Sequence, residues 1–267
     1  MNHYRLYRPR LYLASDHLPY LREVELQLAR IRSTQAGTLL IATIGRGAKN
    51  VRIRPSFNGP FFPLQTVVRE SSYPDALEID AHSYNWYEIG YGQSVMMPDA
   101  LRVGTGRGAE TVVEFHAAGF LEAARRRSGK WANQTPDVVL LHELTHAMRG
   151  ARGLQNNRSM YGDLHMSNYE EFCALLVENV YRSERQQKLR LGHGSLDRPE
   201  AQADSDFEFY KRYAPDIDHW LDVQGDFFRS MAGVSCTFNP FRAALLLRLK
   251  QRAAEIVRPL TGLFGRR

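Results

Sequence analysis

One run of residues constrains this chain more than any other: Thr135-Pro136-Asp137-Val138-Val139-Leu140-Leu141-His142-Glu143-Leu144-Thr145-His146-Ala147-Met148-Arg149-Gly150. Its start signals are those of a helix. Thr135 is a candidate N-cap, and Pro136 occupies the first helical position, where its missing N–H costs nothing. Gly150 is a candidate terminator. On a period of 3.6 residues, His142 and His146 stand one turn apart on one face, so both imidazoles reach one metal ion. Neutral imidazole is a good zinc ligand, at ~2.0–2.1 Å. Glu143 lies one step round from His142, close enough to touch a water on the metal without ligating it. Zinc lowers the pKa of such a water towards ~7, and the carboxylate is placed to take its proton as general base.

A catalytic zinc also needs a third protein ligand and an open fourth position. The extended pattern H-E-x-x-H-x-x-G-x-x-H is closed, because Arg149 and Arg152 stand where its Gly and His would be. The alternative is a Glu from a following helix, and 167–182 is that helix. Ser167 and Glu170 match a capping box, which leaves Glu171 to face the metal. Glu170 is the rival ligand if the box does not form. Glu178, two turns past Glu171 on the same face, either orients a ligand His from behind or makes a surface ion pair. Cys173 reads as packing. A tetrahedral intermediate also needs an oxyanion stabiliser. Tyr161, His165, Tyr181, Arg182 and His193 are the candidates, with Arg182, one turn past Glu178, preferred as a catalytic residue. No Ser–His–Asp or Cys–His order competes.

Composition narrows the class. With 267 residues, 43% of them hydrophobic, the chain can bury a sizeable core. Lys and Arg number 35 against 29 Asp and Glu, a net charge of +6, which is a mild bias and no nucleic-acid footprint. The 2 cysteines exclude a disulfide framework, and neither pairs with these histidines as a structural zinc site requires. The basic N-terminus is followed by Asp16, His17, Arg22, Glu23 and Glu25, so no signal peptide is expected, and no apolar run is long enough to span a membrane. Folding in a bacterial cytoplasm is the expectation.

Along the chain, 18–44 reads as helix, turn, helix. Val51–Arg54 alternates as a strand up to Pro55, and the prolines of 55–75 favour loop. Strand candidates follow at 78–80, 87–89 and 111–115. Gly104–Gly108 reads as a turn, since a strand and not a helix comes after it. The basic run 125–130 reads as a solvated loop. Helices dominate from 136. The segment 240–258 is amphipathic and basic, a terminal helix docked on the core or a membrane-surface helix. No composition shift divides the chain, so 1–267 is expected to be a single domain, with a core of about 25–190 and a C-terminal helical extension of about 200–267.

Several segments together resemble the NleD-like zinc metallopeptidases, bacterial effectors injected into host cells. The stretch 28–40 followed by Val51–Ile53 is similar to that family's N-terminal helix, Thr-x-x-Gly turn and strand. Gly104–Phe115 resembles its glycine turn and strand, Val139–Ala147 its zinc helix, and Glu171–Ala174 with Glu178, Asn179 and Arg182 the segment bearing the third ligand. The family often has Asn directly before the ligand Glu, where this chain has Glu170. The expected fold is α+β, zincin-like and of gluzincin type: a small mixed sheet, the HExxH helix, then a helix carrying the third ligand. The expected function is a zinc endopeptidase with one Zn2+ per chain, His142, His146 and Glu171 as ligands and Glu143 as general base. The resemblance implies a eukaryotic host protein as substrate, delivery by an injection apparatus, and mitogen-activated protein kinases among the targets. Arg8-Pro9-Arg10-Leu11-Tyr12-Leu13 has the form of a docking motif read by such kinases, and Thr111–Phe115 is the candidate rim on which an extended substrate pairs. The competing reading is an inactive zincin that binds a partner or membrane through its basic C-terminal helix.

Overall fold

The computed structural model describes residues 4–55, 64–68, 106–115, 135–156, 158, 160, 168–190 and 205–263. The strand candidates at 78–80 and 87–89, the basic run 125–130 and Gly104 lie outside them. A hairpin comes first: β1 (Tyr4–Arg8) and β2 (Leu11–Ala14) pair antiparallel around Arg10, whose φ is 63°. Two helices follow, α1 (Leu18–Arg32) and α2 (Gln35–Gly45), and then the strands β3 (Val51–Arg54), β4 (Leu64–Val68) and β5 (Thr111–Phe115). Among the described residues the sheet has five strands in the order β1-β2-β3-β5-β4, with β2, β3 and β5 parallel and β4 antiparallel to β5. Leu11 and Leu13 stand opposite Val51 and Ile53, and Ile53 opposite Val113; all five side chains are fully buried. The two-residue period of a strand puts them on one face as a continuous apolar stripe.

Three expectations change here. Leu11 and Leu13, the apolar half of the docking motif, are core residues of β2 and are not displayed to a partner. Residues 64–68 are strand, not loop: Pro63 stands just before β4, and the ladder to β5 organises a segment whose composition marks it as irregular. The rim assignment of Thr111–Phe115 fails because β5 is hydrogen-bonded on both sides, by β3 and β4, and all five of its residues are buried. Among the described residues, the strand at that edge of the sheet is β4.

The helix α3 (Pro136–Ala151) packs against β5, β4, α1 and α2, and against α4 (Tyr169–Glu184). Thr135 and Pro136 take the predicted N-cap and first-turn positions, although the Thr135 side chain makes no capping bond. Gly150 does not end the helix. The chain continues through Ala151 to Arg152, and Gly153 takes the left-handed conformation at φ 68°. Gly153 N donates to Gly150 O (3.1 Å) and Leu154 N to Arg149 O (2.9 Å), the paired bonds of a Schellman ending. The glycine turn before β5 seats on this ending. Gly106 N donates to Gly153 O (2.9 Å) and Ala109 N to Gly150 O (3.1 Å). A Cβ on Gly108 would sit 2.2 Å from Ala151 O, and one on Gly153 2.6 Å from Gly106 C, so glycine is required on both sides of the seam.

Behind α4 stand α5 (Asp206–Val223), α6 (Gly225–Ala232) and α7 (Pro240–Leu263). A capping box of Ser205 and Glu208 opens α5, and Tyr213 departs from helical geometry just before Pro215. Trp220, Phe227, Phe228 and Phe241 join one apolar cluster with the residues of α3, α4 and the sheet. The first turns of α7 are docked through Phe241, Ala243 and Ala244, whereas Leu246, Leu249 and residues 251–254 are exposed. No helix among the described residues is long and apolar enough to cross a membrane.

Candidate metal centre

Every residue of α3 is buried except Glu143. Along α4 the residues that escape burial are Glu171 and Glu184. Glu184 is accounted for, since its carboxylate receives the first backbone N–H groups of α2, Gln35 N at 2.7 Å and Ala36 N at 2.8 Å. Two nearly all-buried helices thus come to the surface together at Glu143 and Glu171, and His142 and His146 lie just beneath, with side chains 6% and 10% exposed.

The structure brings His142, His146 and Glu171 together. Glu171 Oε2 lies 3.1 Å from His142 Nε2 and 3.6 Å from His146 Nε2, and one ligand atom from each of the three lies within 4.8 Å of the other two. Tetrahedral ligands at ~2.0–2.1 Å from an ion stand about 3.3 Å apart, close to the two carboxylate–imidazole separations of 3.1 and 3.6 Å. His142, His146 and Glu171 could hold a metal ion. The two imidazole rings lie edge to face, with centroids 4.8 Å apart and planes crossing at 78°.

Behind each imidazole stands a carboxylate held by arginine. Glu178, fully buried, accepts from His142 Nδ1 at 3.0 Å, from Arg182 Nε at 2.7 Å and from Arg190 Nη1 at 2.8 Å. Glu170 lies 3.5 Å from His146 Nδ1, receives Arg149 Nε on both oxygens at 2.9 Å, and accepts from Asn156 N at 3.1 Å. Burial alone would raise the pKa of each carboxyl, but the arginines outweigh it: Arg190, His142 and Arg182 hold Glu178 far below the usual range, and Arg149 with His146 lowers Glu170. An anionic acceptor at Nδ1 keeps the proton there and directs the Nε2 lone pair at the metal position.

The site itself is strongly coupled. Burial disfavours charge on both imidazoles, yet Glu171 and Glu178 raise His142, and Glu171, Glu170 and Glu143 raise His146 well above its ordinary value. Burial likewise pushes Glu171 up, and the two histidines bring it well below the carboxylate range.

Local sequence explains which glutamate meets the Nε2 atoms of the two histidines. The N-cap of α4 is Asn168, whose Oδ1 accepts from Glu171 N at 2.9 Å. The expected Ser167–Glu170 box is therefore not the cap; asparagine is at least as good an N-cap as serine, and it moves the start by one residue. Glu170 turns to Arg149, and Glu171 joins the histidines. Glu178 orients His142 and is no surface pair. Arg182, 2% exposed, is bound to Glu178 and to Lys188 O (3.3 Å), on the Nδ1 side of His142, whereas Glu171 lies at Nε2. Tyr181 donates to Asp137 at 2.6 Å, in the first turn of α3. Tyr161, His165 and His193 lie outside the described residues. Cys173 is buried, its thiol pushed up to about 12 by burial.

Sequence reasoning missed Arg149, Asn179 and Arg190. The Glu178–Arg182 pair has the i,i+4 spacing that marks helical ion pairs and was readable. Arg149 was not, because its partners come from three segments: Glu170 on α4, Leu154 O in the loop (2.6 Å), and the rings of Tyr169 and Trp220, whose centroids lie 5.7 and 5.1 Å from its guanidinium carbon. No protein-family model, curated protein or solved structure matches this chain.

Proposed function

We propose that this chain is a zinc-dependent endopeptidase with a zincin-type centre, in which His142, His146 and Glu171 bind one Zn2+ and Glu143 is the general base. The observation that carries the reading is the junction of α3 and α4, where three ligand atoms converge and Glu143 is the one residue of α3 that is not buried. The donor set suits zinc, with two imidazole nitrogens and one carboxylate oxygen, each imidazole backed by an anion. Bound there, zinc supplies Lewis acidity and a water of lowered pKa. Glu143 takes the proton of the attacking water and passes it to the departing amine nitrogen. The strand β4 replaces β5 as the docking edge: it is antiparallel to β5, at the margin of the sheet among the described residues, and packs on α3. An extended peptide adds to such an edge through main-chain hydrogen bonds. The resemblance to NleD-like effectors supports a host protein as substrate, signalling kinases among them, and delivery by injection.

The test is N-terminal peptide profiling of a eukaryotic lysate treated with wild-type protein or Glu143→Gln. New N-termini should arise with wild type alone, and zinc content should stay equal. Loss of a general base costs ~10²–10⁴ in rate. A variant that cuts at the wild-type rate would falsify the mechanism. A second reading, membrane binding through α7, draws on the exposed Leu246 and Leu249. Flotation with anionic liposomes of wild type and of Leu246→Asn/Leu249→Asn decides it; equal flotation, or none, ends that reading.

A further inference from the structure

The chain does not leave α4 where the helix ends. It turns through Gln186, at φ 55°, and runs back along the helix. Gln187 N donates to Arg182 O at 2.8 Å, and Lys188 O accepts from Arg182 Nη1 at 3.3 Å. The buried carboxamide of Asn179 then brackets one residue: its Nδ2 donates to Arg190 O and its Oδ1 accepts from Arg190 N, both at 2.8 Å. This two-point clip satisfies both backbone polar groups of Arg190 and sets where its side chain begins. That side chain places Nη1 2.8 Å from Glu178 Oε2, the oxygen that also accepts from His142 Nδ1 at 3.0 Å.

We propose that residues 186–190 form a strap belonging to the metal centre, with Asn179 and Arg190 as positioning residues that act through Glu178 on His142. The inference rests on the reading of His142, His146 and Glu171 as a zinc site. Arg182, on the same helix, already supplies Glu178 with a cation at Oε1. Glu178 therefore needs no second arginine to remain an anion. What Arg190 adds is a second anchor, on the other oxygen, delivered by a backbone clip from outside the helix. Two anchors on two oxygens hold the carboxylate plane, and the plane aims Nδ1–H and so Nε2. With one anchor the carboxylate can turn about its last side-chain bond, and the imidazole loses its fixed direction.

The test is titration of Zn2+ against a competing chelating indicator, with thermal melting of each protein with and without Zn2+. Arg190→Ala should weaken zinc binding by about 10–100-fold, the usual effect of losing a group behind a ligand. Asn179→Ala should weaken it by about tenfold although Asn179 touches no ligand, and Arg190→Lys should recover part of the loss. The double variant should bind no more weakly than Arg190→Ala, because both changes break one device. The rise in melting temperature on adding Zn2+ should shrink in each, since that rise follows affinity. Arg185→Ala, which releases Asp137 at the start of α3, should leave affinity unchanged. Variants that bind Zn2+ as tightly as wild type, or that lose equal stability with and without it, overturn the strap and leave the zinc site standing. A wild-type chain that takes up no Zn2+ overturns the site and the strap together.

Discussion

At the scale of single residues, the site is built to keep charges in place that would otherwise leave the interior. Glu170 and Glu178 are buried carboxylates, and each stays ionised because an arginine reaches it before a proton does. The same coupling sets how the centre responds to pH. His142 and His146 are raised above the ordinary 6.5, and Glu171 is lowered from 4.5. Without metal, the stability that the histidines lend is complete below about 6.5 and is lost as pH rises through their raised values. The share from Glu171 is present above about 4.5 and lost as pH falls through its lowered value. Zinc needs both imidazoles neutral at Nε2, so protons compete with it. Zinc affinity should therefore fall steeply on acidification, and the zinc-induced rise in melting temperature should grow from about pH 5.5 to about pH 8. Melting curves across that range check the sign; a rise that shrinks with pH contradicts it.

At the scale of elements, α3 was legible and its setting was not. Spacing alone puts His142, Glu143 and His146 where they are needed, because the helical period is local. Which of Glu170 and Glu171 meets the Nε2 atoms of the histidines depends on the first residue of α4, and the choice between Ser167 and Asn168 as cap moves that start by one residue. The glycine turn was legible as a turn and silent about its partner. Gly106 and Gly108 meet the end of α3 at backbone distance, and that contact ties β5 to the helix that carries His142 and His146. Gly153→Ala tests the seam. It needs a left-handed φ at an L-residue and a Cβ 2.6 Å from Gly106 C, so a loss of about 1–3 kcal/mol is expected in urea unfolding. A loss below about 0.5 kcal/mol would show that the seam gives way easily.

At the scale of the whole molecule, α5, α6 and α7 act on the site from behind. Phe241 of α7 packs against Trp220 and Phe228, with ring centroids 5.2 and 4.8 Å apart. Trp220 in turn lies against the guanidinium of Arg149, which holds Glu170 beside His146. Phe241→Ala should cost about 3–5 kcal/mol and lower the melting temperature accordingly. Because the apolar cluster is continuous, the transition should remain a single step. A separate early melting of the C-terminal helices would show that they are not part of this core.

What the sequence determined by itself was local chemistry: an apolar helix with two imidazoles on one face, a carboxylate beside them, and a second helix with glutamates at the correct period. Those features depend on neighbours within two turns, and a single sequence displays them. Tertiary structure alone decided the rest. The ladder to β5 made a strand of 64–68 and put β5 inside the sheet. The positions of Arg149, Asn179 and Arg190 relative to the histidines arose where separate segments close on one another, and no periodicity along the chain encodes a meeting of that kind.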